Sequence, residues 1–346
     1  MTAFSLPDVP IIQAPMAGGI TTPALVGAVA EAGAVGSFGF AYSTPEAIVR
    51  DMAEARALTN GLINANFFVF EPVLPPNEAD IATATEMLCA LPIAVDKAAY
   101  DVLREPFVPD LEAQFDAVMH HAPDYLTFHF GLPPQQIIAR AQAAGIIVGV
   151  TATCLEEAHA IAREGADFIV AQGYEAGGHR GTFTAFPKAD EGLSSLSLTK
   201  AIAQWGGLPV ITAGGIMTGA DIGQAQANGA AGVQMGTAFL CADEAGTAPS
   251  YKAALTSWHD RRTVMTPHFS GRLARAIENT FVSEMTQSAF LPFPLQNTLT
   301  GPLRKKAAQD GDAQFQSLWA GAGFQKIQSA SATEIVKRLV DDMRNC

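Results

Sequence analysis

The sequence predicts an α/β protein, a (β/α)8 TIM barrel with a smaller cap segment inserted after the eighth strand. Three observations predict it. Short apolar runs recur eight times between residues 11 and 237, and helix-start and helix-stop signals stand between them. The runs are apolar throughout rather than alternating, as parallel strands covered on both faces should be. Strands alternating with helices imply parallel pairing through right-handed crossovers, and eight such units favour a closed barrel over an open doubly wound sheet. A chain of 346 residues, 49% hydrophobic and 16% charged, is long enough to bury such a core without staples.

The elements follow in order. The first run, residues 11–17, leads to Thr22-Pro23, an N-cap followed by proline at the first helical position, and Gly33 closes that helix. The second run, 35–40, is followed by the same device at Thr44-Pro45-Glu46. The third, 62–68, leads into an excursion, residues 69–107, carrying Pro72, Pro75, Pro76, Pro92 and Pro106. The fourth is 125–131. The fifth, 146–153, ends on Thr153-Cys154-Leu155-Glu156, which has capping-box spacing, and Gly165 provides a left-handed stop. The sixth is 168–173. After the seventh, 209–215, a helix opens at Thr218 to Asp221 and ends at Gly229; the eighth is 232–237. Residues 1–240 thus form the barrel, 241–292 the cap over its mouth, and 293–346 the closing helix and C-terminal tail, with 299–322 expected to be that helix.

Composition narrows the function. A net charge of −13 argues against a nucleic-acid partner held through phosphates. The charge is uneven: residues 1–240 hold 9 basic and 24 acidic side chains, residues 241–346 hold 12 and 10. With no 18-residue apolar run, no membrane partner is expected. The start MTAFSLPDVP has neither a basic n-region nor an apolar h-region, so a cytoplasmic protein is expected. Cys89, Cys154, Cys241 and Cys346 are widely spaced and form no CxxC or zinc pattern.

Barrel enzymes place their chemistry at the carboxyl ends of the strands. Those ends here are rich in glycine, amides and histidine, and none is acidic. Gly214-Gly215 and Gly236-Thr237 follow strands seven and eight, where a phosphate can rest on backbone amides; the alternative is that the glycines only permit tight turns. Asn66 and Gln172 can match a heteroaromatic ring edge with mixed donors and acceptors, or satisfy backbone at the barrel mouth. In the loop Gln172 to Gly181, Gly177-Gly178 let the chain bend over a flat ligand, with His179 and Arg180 then facing the substrate. His129 ends strand four as a proton shuttle, an anion partner or a core histidine. His120-His121 lie at the wrong rim. There is no HExxH, no GxSxG and no paired carboxylate at the strand ends, so no metal site is expected and hydrolytic mechanisms lose support. A missing acid/base inventory points to a cofactor.

The segments QAPMAGG (13–19), NANFF (64–68), FHFG (128–131), QGYEAGGHRG (172–181), ITAGGIMTG (211–219) and QMGTAFL (234–240) resemble the nitronate monooxygenase family, formerly called 2-nitropropane dioxygenases. The resemblance covers residues 10 to 240, with a looser match in the tail. It implies a (β/α)8 barrel with a cap and non-covalent FMN. Carried over by motif, Ala14, Pro15 and Met16 would back the isoalloxazine, and Asn66, Gln172, Gly177, Gly178, Gly214, Gly215, Gln234, Met235, Gly236 and Thr237 would hold the cofactor. His129 and His179 match two family histidines on the substrate side. The tail departs from the pattern: some members carry tyrosines and a lysine where Phe293 to Thr298 stand here.

The resemblance implies oxidation of alkyl nitronates, or of nitroalkanes, by O2 to carbonyl compounds and nitrite. A protonated or hydrogen-bonding His129 would stabilise the anion, and His179 would take a proton from a neutral nitroalkane or shape the cofactor loop. The partners expected are a small-molecule nitronate and O2, with a homodimer as the candidate assembly. The alternative keeps FMN and uses NAD(P)H to reduce quinones or enoyl thioesters.

Overall fold

Residues 4–185 and 190–345 are described in a computed structural model of the chain. Its strands are β1 (Ile11–Gln13), β2 (Gly36–Gly39), β3 (Ile63–Phe68), β4 (Tyr125–His129), β5 (Ile147–Ala152), β6 (Phe168–Gln172), β7 (Gly178–His179), β8 (Val210–Ala213), β9 (Gly232–Met235), β10 (Thr263–Thr266) and β11 (Ala274–Ile277). Eight of them pair in parallel in the order β1-β9-β8-β6-β5-β4-β3-β2. The ring closes between β1 and the start of β2. There Ile12 bridges Val35, and the Gln13 N–H donates to the Val35 carbonyl at 2.9 Å. The strands are buried, as their apolar runs require; every residue of β3, β5 and β6 is buried. Ile12, Tyr125, Ile147, Phe168 and Ile211 come from five strands yet touch one another, so they point inward and fill the barrel.

The helix starts follow the local signals. Thr22 accepts from the Leu25 N–H at 3.0 Å and Thr44 from the Ala47 N–H at 3.3 Å, each with proline in the first turn. Thr218 and Asp221 make both halves of a capping box. The fifth crossover differs from expectation. Its helix starts one residue later, with Cys154 as N-cap, so Glu157 rather than Glu156 reaches back. One Glu157 oxygen accepts from the Thr153 N–H at 2.6 Å and the Thr153 hydroxyl at 2.7 Å. The other accepts from the Phe183 N–H at 2.8 Å and anchors the loop beyond β7.

The cap draws on two distant stretches of chain. Ala84 and Leu88 of the helix Glu78–Cys89, with Tyr100, pack against Phe269, Phe281, Met285, Leu295 and Leu303. The proline-rich excursion is therefore part of the cap core. β10 and β11 form an antiparallel pair, and β11 also pairs with β7, with Ala274 opposite His179. The expected closing helix at 299–322 is corrected. The helix Gly301–Gln309 instead inserts Leu303 and Ala307 into the cap core. The outer ring is completed by the helix Ala332–Arg344, which packs against the helices Pro23–Glu31 and Gly219–Ala227. Its stripe of Ile335, Val336 and Leu339 meets Leu25, Val29, Ile222 and Ala225, the spacing of one helix face. No described helix is long and apolar enough to cross a membrane.

Candidate active site

A cavity of about 590 Å³ opens at the carboxyl ends of the barrel strands, beneath the cap, a volume in the usual range for ligand pockets. Of the candidate site residues singled out above, all but Arg180 reach its wall: Ala14, Pro15 and Met16 after β1, Asn66, His129, Gln172, Gly177, Gly178, His179, Gly214, Gly215, Gln234, Met235, Gly236 and Thr237. No described residue in the lining is acidic, and no described cluster of histidine, cysteine or carboxylate side chains could hold a metal.

The two glycine loops lie side by side. Gly214 and Gly215 have φ of +110° and +76°, a region that side chains other than glycine's rarely adopt. A Cβ on Gly214 would lie 2.9 Å from the Ala176 nitrogen, so the loops after β6 and β8 are in close contact. Outside the strand ladders, the N–H groups of Gly214, Gly215, Gly236 and Thr237 find no acceptor among the described residues. The Thr247 hydroxyl, in the same wall, is buried without a partner. The four loop residues are partly exposed and line the cavity, so their N–H groups and the Thr247 hydroxyl can donate to an oxygen-rich group there.

The two amides differ. Asn66 donates from Nδ2 to the Thr127 carbonyl at 3.1 Å and hydroxyl at 3.0 Å, leaving Oδ1 to accept from a ligand. Gln172 uses both ends of its side chain on the neighbouring loop: Nε2 donates to the His179 carbonyl at 2.9 Å and Oε1 accepts from the Gly181 N–H at 2.7 Å. It holds the loop in place, with one N–H and one lone pair left for a ligand.

Both histidines are neutral at physiological pH. Burial, reinforced by the positive charge of Arg272, pushes His129 down to about 3. Burial, with His129 and Arg272 beside it, does the same to His179. Of the two forms expected for His129, protonated or hydrogen-bonding, its environment favours the second. The Ser270 hydroxyl lies 2.9 Å from His179 Nε2 and is placed to donate to the Arg272 carbonyl at 3.1 Å, an arrangement that favours hydrogen on His179 Nε2. That leaves His179 Nδ1 unprotonated. His129 Nε2 faces the His179 carbonyl at 3.4 Å and carries its hydrogen there. Directly after His129, Phe130 takes φ of +77°, a strained conformation for an aromatic residue. Its ring packs under the Arg272 guanidinium at 3.9 Å and beside Phe68 at 4.4 Å.

Arg180, expected to face the substrate, is buried away from the cavity. It forms a two-pronged ion pair with Asp190, both contacts at 2.8 Å, and donates to the Gln172 carbonyl at 2.6 Å. Sequence reading missed several wall residues: Tyr42, Thr247, Tyr251, Asn297, Arg304 and Trp319. All but Tyr42 come from the region after β9, and the only local hint was the basic balance of residues 241–346.

The chain resembles known proteins along nearly its whole length. The family model for nitronate monooxygenase matches residues 2–342. A nitronate monooxygenase of Paraburkholderia phytofirmans is 37% identical over 347 residues, covering 97% of this chain and 93% of its own. One of Pseudomonas aeruginosa is 35% identical over 97% of this chain and 96% of its own. Among solved structures, a nitroalkane oxidase from Streptomyces ansochromogenes superposes with a TM-score of 0.90 at 36% identity, over 98% of this chain and 97% of that one. FabK from Thermotoga maritima, TM-score 0.74 and 24% identical over 97% of this chain and 93% of its own, shares the fold. With its closed barrel, capped mouth and acid-free cavity bearing two neutral histidines, the chain belongs to the nitronate monooxygenase family and is an oxidoreductase.

Proposed function

We propose that the protein binds FMN in this cavity and uses O2 to oxidise alkyl nitronates to carbonyl compounds and nitrite. One observation carries the reading: among the described residues the cavity offers backbone N–H groups without acceptors, neutral amides and neutral histidines, and no carboxylate. Such a lining suits a phosphate, a ring edge and an anionic substrate together. The group fits the residues present. Gly214, Gly215, Gly236 and Thr237 would hold the phosphate, with Thr247 in the same wall. Asn66 Oδ1, with Gln172 and Gln234, would meet the ring edge, and Ala14, Pro15 and Met16 would back the ring. Bound there, FMN would supply the redox chemistry between the nitronate and O2.

The chain's own residues do the rest. A nitronate is already a carbanion equivalent, so no strong base is needed, in keeping with histidines held neutral. His129 and His179 orient the substrate's oxygens against the ring, and His179 Nδ1 is available to take a proton from a neutral nitroalkane. Phe68 and Trp319 give the compartment apolar walls, and the cap limits access of water.

The test is spectroscopic. The purified protein should be yellow and release FMN on denaturation. Mixed anaerobically with propionate 3-nitronate, its flavin spectrum should change within seconds, and admission of air should yield nitrite. An unchanged spectrum overturns the reading. Bleaching by NADH and by no nitronate would identify a reductase instead.

A further inference from the structure

We propose that Arg304 is the specificity-determining residue of this cavity, gripping the planar two-oxygen group of an anionic nitronate and so selecting the nitronate over the neutral nitroalkane. The inference rests on the function proposed above and names what that site recognises. Arg304 is the one charged side chain among the described residues of the lining. No carboxylate faces it there. The other arginines nearby are engaged elsewhere, Arg180 with Asp190 and Arg272 with the Thr182 carbonyl and the Phe130 ring.

The guanidinium is held in advance of any ligand. Nε donates to the Thr300 hydroxyl at 3.2 Å, and Nη2 donates to the Asn297 carbonyl at 2.7 Å and its side-chain oxygen at 3.2 Å. Nη1, with two hydrogens, has no acceptor among the described residues. All three anchors lie on the same cap segment, which Leu299 and Leu303 fix into the cap core. A guanidinium removed from water without a counter-ion is unfavourable, so an anion entering the cavity gains more from it than from an exposed arginine. The planar fork matches a planar XO2 group better than an ammonium would.

The location separates this group from the cofactor's phosphate. Arg304 shares the wall with Tyr42, beyond β2, and its charge acts on His179 and Tyr42. β2 and β9 stand on opposite sides of β1 in the ring, with β8 beyond β9. A carboxylate on the substrate's alkyl chain has the same planar chemistry as the nitronate itself, and the experiment separates the two.

Wild-type protein, Arg304→Met and Arg304→Lys are compared as flavin-loaded enzymes. Three readouts are taken: flavin content, the flavin absorption change on titration with nitrate (a planar oxyanion that is not turned over), and kcat and KM for propyl-2-nitronate, propionate 3-nitronate and neutral 2-nitropropane. Expected for Arg304→Met is full flavin content, nitrate binding weakened about 10- to 100-fold, and a similar rise in KM for both nitronates, the scale of a lost charge-assisted hydrogen bond. The change for 2-nitropropane should be at least tenfold smaller, and Arg304→Lys should recover part of the binding. Unchanged nitrate and nitronate binding overturns the proposal. So does loss confined to propionate 3-nitronate, which would make the group a reader of the tail carboxylate. Loss of flavin from both variants overturns it in favour of a cofactor role. If wild-type protein turns over no nitronate, the function reading fails, and the nitrate titration still decides whether Arg304 binds a planar oxyanion.

Discussion

At the residue scale, the site works by withholding charge. His129 and His179 sit at the mouth of an acid-free cavity, and burial keeps both neutral. Ser270 links the His179 ring to the Arg272 backbone and favours hydrogen on Nε2. Ser270→Ala should release that constraint while leaving the fold intact. We expect kcat for neutral nitroalkanes to fall about tenfold, the net value of one hydrogen bond to a reacting group, with a smaller change for nitronates that need no proton removed. Stopped-flow reduction on both substrates checks this; equal losses would show that Ser270 acts through packing alone. The histidines also carry a pH signature. Their folded values lie near 3, while unfolded histidine titrates near 6.5. Between those values the unfolded chain takes up protons that the folded chain refuses, so stability rises with pH across that window and is lost as pH falls below about 6.5. The melting temperature should therefore drop from pH 6.5 to pH 5, and His129→Gln with His179→Gln should flatten the drop. The glycines, amides and histidines of the site were legible in the sequence because strand ends are local features. Arg304 and Thr247 were not, because only the long-range docking of the cap brings them to the mouth.

At the element scale, loops after neighbouring strands cooperate. β7 is two residues long, yet it pairs with β11 of the cap and so ties His179 to both layers of the molecule. Gln172, Arg180 and Glu157 hold the surrounding loop through its backbone. Pairing of so short a strand has no sequence signature, since two residues show no periodicity. The glycine loops after β8 and β9 did have one. Gly236 tests their proposed role. A Cβ there would meet the Ala14 Cβ at 3.3 Å and the Met16 sulfur at 3.9 Å, a tight but yielding environment. Gly236→Ala should therefore fold and retain flavin. Gly236→Asp places a carboxylate against the proposed phosphate site, where two like charges several ångströms apart repel enough to weaken binding about 100-fold. The absorbance ratio of flavin to protein after gel filtration measures both. A yellow Gly236→Asp protein at full stoichiometry would move the phosphate elsewhere.

At the scale of the whole molecule, the outer ring of helices is completed only by a segment that follows the cap. After β9 the chain builds most of the cap before the helix Ala332–Arg344 fills the last gap in the outer ring. The sequence showed the eight strands, because fully buried strands leave unbroken apolar runs. It misplaced this helix, because the basic, half-exposed stretch near residue 305 and the amphipathic stretch near 335 look alike until their partners are known. Two glycines on the helix Gly219–Ala227 show what the closure requires. A Cβ on Gly219 would lie 2.3 Å from the Met343 nitrogen and 2.5 Å from the Asp342 carbonyl carbon, so the closing helix rests directly on that backbone. A Cβ on Gly223, one turn along, would meet nothing within 4 Å. Gly223→Ala should thus stabilise the protein by about 0.5–1 kcal/mol through helix propensity. Gly219→Ala has the same propensity gain but must push the two helices apart, an overpacking cost of about 1–3 kcal/mol. Urea unfolding of the two variants beside wild type separates them, with opposite shifts in midpoint and equal slopes expected. If Gly219→Ala also stabilises, the closing helix does not bear on the barrel through this contact.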